Sequence, residues 1–231
     1  MIYATADLHG YPLNMFKELL RKVRFSKEDY LFVLGDVIDR GSDGISLLRW
    51  MMCQPNVELI LGNHEEMMLE SEFIIDKITN SSLDSLTSEK LDALANWIAN
   101  GGEPTIAALR KLSDEDKQYV FEYLKDAPLY DIVSTENQHF LLTHSGLGRF
   151  SSGKEIDDYN KEDFLLNRPV LTDKYYDNVI TVFGHTPTVN YGETFAGKAI
   201  VTKTWINIDT GAGWGFSPML LRLDTLEEFY L

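Results

Sequence analysis

The residues able to do chemistry fall in a pattern: an aspartate, asparagine or histidine follows nearly every apolar run that reads as a strand. Asp7 and His9 follow the first such run, Asp36 and Asp39 the second, Asn63 and His64 the third, and His144 and His185 follow two later ones. Carboxylate, amide and imidazole groups of this kind are the donors divalent metals take, and imidazole is also suited to moving a proton near neutral pH. One histidine in such a place is more often a structural residue. Four of the chain's five share it, and a separate structural reason for each is the weaker explanation. His139, which opens a strand after Glu136, Asn137 and Gln138, stands apart and reads as a surface residue.

The motifs differ in specificity. Asp7-Leu8-His9 places two donors at i and i+2, which in extended backbone project to one side and can grip one metal, a weak signal by itself. Gly35-Asp36-Val37-Ile38-Asp39-Arg40-Gly41 is far more specific, because a buried-looking strand runs directly into two carboxylates and an arginine bounded by glycines. One carboxylate can bridge cations, and the planar fork of Arg40 matches phosphate oxygens; the bland alternative is a surface loop. Gly62-Asn63-His64-Glu65 adds an amide oxygen and an imidazole, and His144 and His185 sit within Thr143-His144-Ser145-Gly146 and Phe183-Gly184-His185-Thr186-Pro187.

These groups need a scaffold that brings strand ends together. The first 65 residues alternate strands over 2–6, 30–34 and 57–61 with helices over 13–23 and 45–52, a βαβαβ start with strands covered on both faces. From about 66–126 apolar residues recur at helical spacing (Met67, Met68, then Leu91, Leu94, Ile98), which predicts a helical insertion. Thr87, Ser113 and Pro104 mark helix starts within it, and Asn100-Gly101-Gly102 breaks the run. Strands return over 140–143, 179–183, 199–202, 205–208, 219–223 and 227–230, linked by turns and not by helices. The expectation is an α/β fold with a two-layered mixed sheet. In open sheets of this class the functional crevice lies outside the carboxyl ends of the strands, so the scattered donors can form one site.

The bulk numbers bound the function. At 231 residues the chain reads as a single domain, 1–231, carrying the insertion. A balance of 21 Lys+Arg against 36 Asp+Glu, net charge −15, argues against a surface that tracks nucleic acid; an anionic substrate then needs a local positive centre, which bound cations would supply. The single cysteine, Cys53, excludes an intramolecular disulfide and reads as a packing residue beside the stripe Ile45, Leu48, Met52. The first residues show no export pattern and no apolar run reaches membrane-spanning length, so a cytoplasmic protein without a membrane partner is expected.

Taken together, Asp7-x-His9, Gly35-Asp36-x-x-Asp39-Arg40-Gly41, Gly62-Asn63-His64-Glu65, His144 and Gly184-His185 resemble the metallophosphoesterases, in particular the bacterial phosphoprotein phosphatase branch, over residues 1 to about 215. The resemblance implies a two-layered mixed β-sheet sandwich flanked by helices, with the helical insertion after the third strand. It implies one metal held by Asp7, His9 and Asp36 and a second held by Asp36, Asn63, His144 and His185, with Asp36 bridging. Family usage favours Mn, and the donor set also suits Fe or Zn. A water bridging the two metals would be the nucleophile, His64 the general acid and Asp39 its orienting partner, while Arg40 and Arg168 would bind the substrate phosphate. Ile206 to Gly211 is similar to the family's closing strand and turn, with no metal ligand. The Asn100-Gly101-Gly102 break, followed by Thr105, resembles a segment of bacterial relatives and is either a border of the substrate mouth or a simple turn between helices.

The expected function is a metal-dependent phosphomonoester hydrolase, foremost a serine/threonine protein phosphatase acting on a phosphorylated protein or a small phosphomonoester. The nearest alternative is a symmetrical dinucleoside tetraphosphate hydrolase. In that branch the Asp39-Arg40 pair is typically altered and the Glu65 position is typically Asp, whereas this chain has the protein-phosphatase form at both. A non-catalytic phosphopeptide-binding module on a decayed scaffold is a third reading, and the presence of every ligand and of the acid speaks against it.

Overall fold

The computed structural model describes residues 1–75 and 86–231; positions 76–85 of the expected insertion lie outside the described residues. Among the described residues, ten strands form two five-stranded mixed sheets. In the first, β1 (Ile2–Thr5), β2 (Tyr30–Leu34) and β3 (Val57–Ile60) run parallel, and β9 (Met219–Arg222) and β10 (Glu227–Tyr230) add antiparallel on the β1 side, giving the order β10-β9-β1-β2-β3. The second, ordered β4-β5-β6-β8-β7, pairs β4 (Tyr130–Ser134), β5 (His139–Thr143), β6 (Val179–Phe183), β8 (Trp205–Asn207) and β7 (Ile200–Val201), with β5, β6 and β8 parallel.

Two-residue alternation explains why the central strands read as continuous apolar runs. In β2, Phe32 and Leu34 enter the core between the sheets, where they meet Phe140, Leu142, Val182 and Ile206 of the second sheet. Leu31 and Val33 point the other way, into a layer with Phe16 and Leu19 of α1 (Leu13–Lys22) and Leu47, Leu48 and Met51 of α2 (Gly44–Met52). The outer face of the second sheet, through Leu141, Phe183 and Trp205, packs against Tyr159, Phe164 and Tyr175. Both faces of each central strand are therefore dry.

Between β3 and β4 the described residues hold α3 (Asn63–Glu70), α4 (Ser88–Ala99), α5 (Glu103–Leu109) and α6 (Asp114–Lys125), so the insertion is helical as expected. Thr87 caps α4 by accepting from the Lys90 N–H, and Ser113 caps α6 by accepting from Asp116. The buried face of α4 differs from the sequence reading. Leu91 and Ile98 are 51% and 40% exposed, while Trp97 is 0% exposed.

Three further expectations are corrected. The later strands are not joined by turns alone, since α7 (Lys161–Leu165) lies between β5 and β6; it is one capped turn and a half, too short for a periodic signal. Strand β4 has a single buried residue, Val133, and so lacks the apolar run by which strands were read. Cys53 is exposed: α2 ends at Met52, and the chain turns away before the helical stripe could include the thiol. No helix among the described residues is long and apolar enough to cross a membrane.

Candidate dinuclear metal centre

Every candidate donor lies just past the carboxyl end of a strand: Asp7 beyond β1, Asp36 beyond β2, Asn63 and His64 beyond β3, His144 beyond β5 and His185 beyond β6. Asp36 is the meeting point. Its Oδ2 lies 3.6 Å from His9 Nε2, and its Oδ1 lies 3.5 Å from His144 Nε2 while accepting the His64 backbone N–H at 3.0 Å. That N–H belongs to the first turn of α3, so a helix N-terminus faces the carboxylate. Asn63 Oδ1 stands 2.9 Å from His144 Nε2 and 2.8 Å from His185 Nδ1. Asp7 presents both carboxylate oxygens to the His185 N–H, each at 2.9 Å.

Backbone strain is concentrated here. Nine non-glycine residues have positive φ among the described residues, and six of them are Asp7, His9, Asp36, Asp39, Arg40 and His185. Such conformations cost of order 1–3 kcal/mol each and persist where the surroundings enforce them, commonly at functional sites. This replaces the extended geometry expected for Asp7-Leu8-His9. Asp7 and His9 are left-handed, at φ 52° and 43°, and Leu8 between them is fully buried, so the segment turns tightly instead of running extended. Glu65 enforces part of this arrangement. It is 0% exposed and accepts the N–H groups of Asp36 (2.7 Å), Val37 (2.9 Å) and Gly62 (3.1 Å), pinning the loop after β2 to the start of α3.

The donor chemistry suits cations. His144 donates its Nδ1–H to the Leu34 carbonyl at 2.8 Å, which leaves Nε2 as a bare acceptor facing Asn63 Oδ1, His185 Nδ1 and Asp36 Oδ1. Among those four atoms at most one hydrogen, on His185, is available, and a cation satisfies all of them. His9 likewise donates Nδ1–H to the Ile38 carbonyl at 3.2 Å and turns Nε2 towards Asp36. Asp36, His144 and His185 offer ligand atoms within 4.8 Å of one another, as do His9, Asp36 and His64.

Titration separates the histidines into two kinds. Burial lowers His9 to about 3 and His185 to about 2, and it also lowers His144, so all three rings are neutral with lone pairs free. His64 moves the other way: burial opposes its charge, but Asp36 and the bonded Asp39 outweigh it and raise the ring. Burial also pushes Asp36 up, yet the imidazoles of His144, His64, His9 and His185, as they gain charge in acid, hold it well below the usual carboxylate range. Asp7 is raised well above that range by burial, then by Asp209 and Asp36; burial likewise pushes Asp209 up to about 7. Buried carboxylates crowded in this way lack positive charge, which divalent ions would provide.

His64 Nδ1 lies 2.6 Å from Asp39 Oδ2, and the opposite ring nitrogen is 3.3 Å from Arg40 Nη2. The Arg40 guanidinium stacks 5.0 Å from the ring of Trp214, an exposed aromatic that the sequence reading did not single out. Arg168 donates to Thr186 Oγ1 at 3.2 Å and lines a cleft of about 350 Å³ together with Asn63, His185, Glu66, Asn96 and Asn100. Asn100 thus borders the cleft, while its neighbour Gly101 offers its carbonyl to the Arg40 N–H at 2.9 Å, so the Asn100-Gly101-Gly102 break is more than a turn. Trp97 was missed, and Thr105, singled out only as the residue following the Asn100-Gly101-Gly102 break, was not linked to Asp39, although both bond it. Nothing in their types or spacing links them to a carboxylate about sixty positions earlier.

The chain is similar to known proteins. A family model of calcineurin-like phosphoesterases matches residues 1–223. The symmetrical bis(5'-nucleosyl)-tetraphosphatase of Chromobacterium violaceum is 33% identical over 263 residues, covering 100% of this chain and 94% of that one. The enzyme of the same name from Pectobacterium atrosepticum is 31% identical, covering 98% and 93%. The match to its namesake from Erwinia tasmaniensis, 31% identical, takes in 58% of this chain and 47%, about half, of that protein. These names agree with the runner-up reading of the sequence and not with its leading one. Among solved structures, one provisionally named a diadenosine tetraphosphatase superposes with a TM-score of 0.68 at 16% identity, covering 100% of this chain and 92% of that one. A protein serine/threonine phosphatase from Saccharomyces cerevisiae gives 0.59 at 15% identity, covering 100% and 79%. At such identities they show the fold alone. With the fold, the strand-end donors and a family match over nearly its whole length, the chain belongs to the calcineurin-like phosphoesterases, metal-dependent hydrolases of phosphate esters.

Proposed function

We propose that the chain hydrolyses phosphate monoesters whose leaving group is an alkoxide, a phosphorylated serine or threonine side chain or a small alkyl phosphate. The observation that carries this reading is the buried His64–Asp39 pair at 2.6 Å, with the His64 ring raised by its neighbours. An alkoxide is a poor leaving group and needs a proton as it departs; a ring oriented by one carboxylate and facing an arginine is placed to give it. Asp7, His9 and Asp36 would hold one divalent cation, and Asp36, Asn63, His144 and His185 a second. Two such ions, Mn or alternatively Fe or Zn, supply Lewis-acid polarisation of the phosphate and an activated water. Arg40 would grip the phosphate oxygens beside His64, steadied by Trp214, and Arg168 would meet the substrate at the rim of the cleft.

A second reading is symmetrical hydrolysis of dinucleoside tetraphosphates, which the names of the full-length relatives support better than they support a monoester. A nucleoside diphosphate leaves without needing a proton, so that reaction makes little demand on Asp39. Turnover of a phosphoserine peptide and of diadenosine tetraphosphate by the Mn-loaded protein should be compared directly, each also with His64→Asn. The monoester reading expects the higher kcat/KM on the peptide and a large loss there in the variant. Faster tetraphosphate cleavage, insensitive to His64→Asn, would replace it with the second reading.

A further inference from the structure

The helical stretch after β3 reaches the His64–Asp39 pair from behind. Asp39 is 0% exposed, and its carboxylate meets three side-chain donors: His64 Nδ1 at 2.6 Å, Thr105 Oγ1 at 2.6 Å and Trp97 Nε1 at 2.9 Å. Two of the three therefore come from α4 and α5. Thr105 Oγ1 also accepts the Asp39 backbone N–H at 3.0 Å, so one hydroxyl fixes both ends of the residue. Between the two helices Gly101, at φ +103°, accepts the Arg40 N–H at 2.9 Å. A Cβ at Gly101 would stand 2.9 Å from Arg40 Cγ, closer than side chains pack, so the turn lies directly against Arg40.

A carboxylate held by His64 alone could turn about its last torsion and carry the ring with it. Three donors from different directions leave one orientation, and in a buried site each bond lost exposes an unsatisfied charge. Trp97 is also the one fully buried residue of α4, so the helix is docked by the side chain that bonds Asp39. We propose that Trp97 and Thr105 are positioning residues: they lock Asp39 in the orientation that aims His64 at the departing oxygen, which makes the helical insertion part of the catalytic apparatus. The proposal rests on the reading of His64 as general acid.

Two near-isosteric substitutions test it. Trp97→Phe keeps an aromatic ring and removes the N–H donor, and Thr105→Val removes the hydroxyl; Thr105→Ser restores it. In the Mn-loaded full chain, Trp97→Phe and Thr105→Val should each lower kcat on a phosphoserine peptide at least about tenfold, with less than about threefold loss on p-nitrophenyl phosphate, whose leaving group needs no proton. KM and metal content should hold, and Thr105→Ser should recover most of the loss. His64→Asn serves as the reference for this selectivity. Equal losses on both substrates, or none, while His64→Asn still discriminates, would overturn the proposal and leave the acid reading intact.

If His64→Asn itself fails to discriminate, the acid reading falls, and the lock is judged without turnover. In the Zn-loaded full chain, which is diamagnetic, the His64 Nδ1–H resonance should shift or broaden in both variants and not in Leu91→Ala, a change at an exposed position of α4. An unchanged resonance in Trp97→Phe and Thr105→Val would sink the positioning role.

Discussion

Gly184 precedes His185 where the chain from β6 passes Asp7, and its side chain is excluded by distance alone. A Cβ at this position would lie 1.8 Å from Asp7 Oδ2 and 2.6 Å from Ala6 Cβ. Ala6 is 3% exposed in the core between the sheets and cannot yield, so the Asp7 carboxylate must. Restoring even a 3.0 Å contact requires a retreat of about 1.2 Å. Metal–ligand distances tolerate about ±0.2 Å, so Gly184→Ala should remove Asp7 from its proposed ligand position and loosen His185, whose N–H both Asp7 oxygens accept. The strain itself is ordinary overpacking, about 1–3 kcal/mol, or a fall of a few degrees to about 10 °C in Tm. Metal binding should suffer far more, by at least about a hundredfold for the weaker ion. Isothermal titration with Mn, together with metal content after dialysis, measures this. Gly153→Ala, where a Cβ meets nothing within 4 Å, is the control. Two ions retained by Gly184→Ala at wild-type affinity would refute the placement of Asp7 in the centre.

Glu65→Gln should destabilise the fold by about 1.5–3 kcal/mol, because an amide cannot accept all the N–H groups that the carboxylate takes from Asp36, Val37 and Gly62; an unchanged urea midpoint would contradict this. Asp163 supplies a pH dependence away from the centre. The Arg149 fork, at 2.7 and 2.9 Å, leads the effects that hold its carboxyl below the usual range, against the burial that raises it. A depressed folded-state pKa means that its stabilisation is complete above the unfolded value of about 3.9 and is lost as pH falls through the folded value. Asp163→Asn should therefore lower stability near neutral pH and flatten the decline below about pH 4, and an acid limb of wild-type steepness would refute the assignment.

What could be read from the sequence follows from physics that is local along the chain. Strands β1, β2 and β3 were legible because most of their side chains are buried, and Asp36, Asn63, His144 and His185 because polar groups at the ends of dry strands require a reason. Strand β4 buries one residue and offered no such run. The bonds from Trp97 and Thr105 to Asp39 span 58 and 66 positions, and no periodicity encodes them. The left-handed turn through Asp7 and His9 was likewise hidden, since neither residue type demands positive φ and the conformation is imposed by contacts made elsewhere.

The division of the donors between the sheets has a mechanical side. Asp7, Asp36 and Asn63 follow strands of one sheet, and His144 and His185 follow strands of the other. Between the sheets lies a side-chain core without direction, which by itself tolerates small sliding. Ions held by both sets of donors would act as a rivet through that seam, and the narrow tolerance of metal–ligand distances makes the rivet a gauge. A slip of a few tenths of an ångström between the layers, even one begun near the Ala199–Tyr230 bond, would be registered at the centre as a lost ligand before either sheet had unravelled.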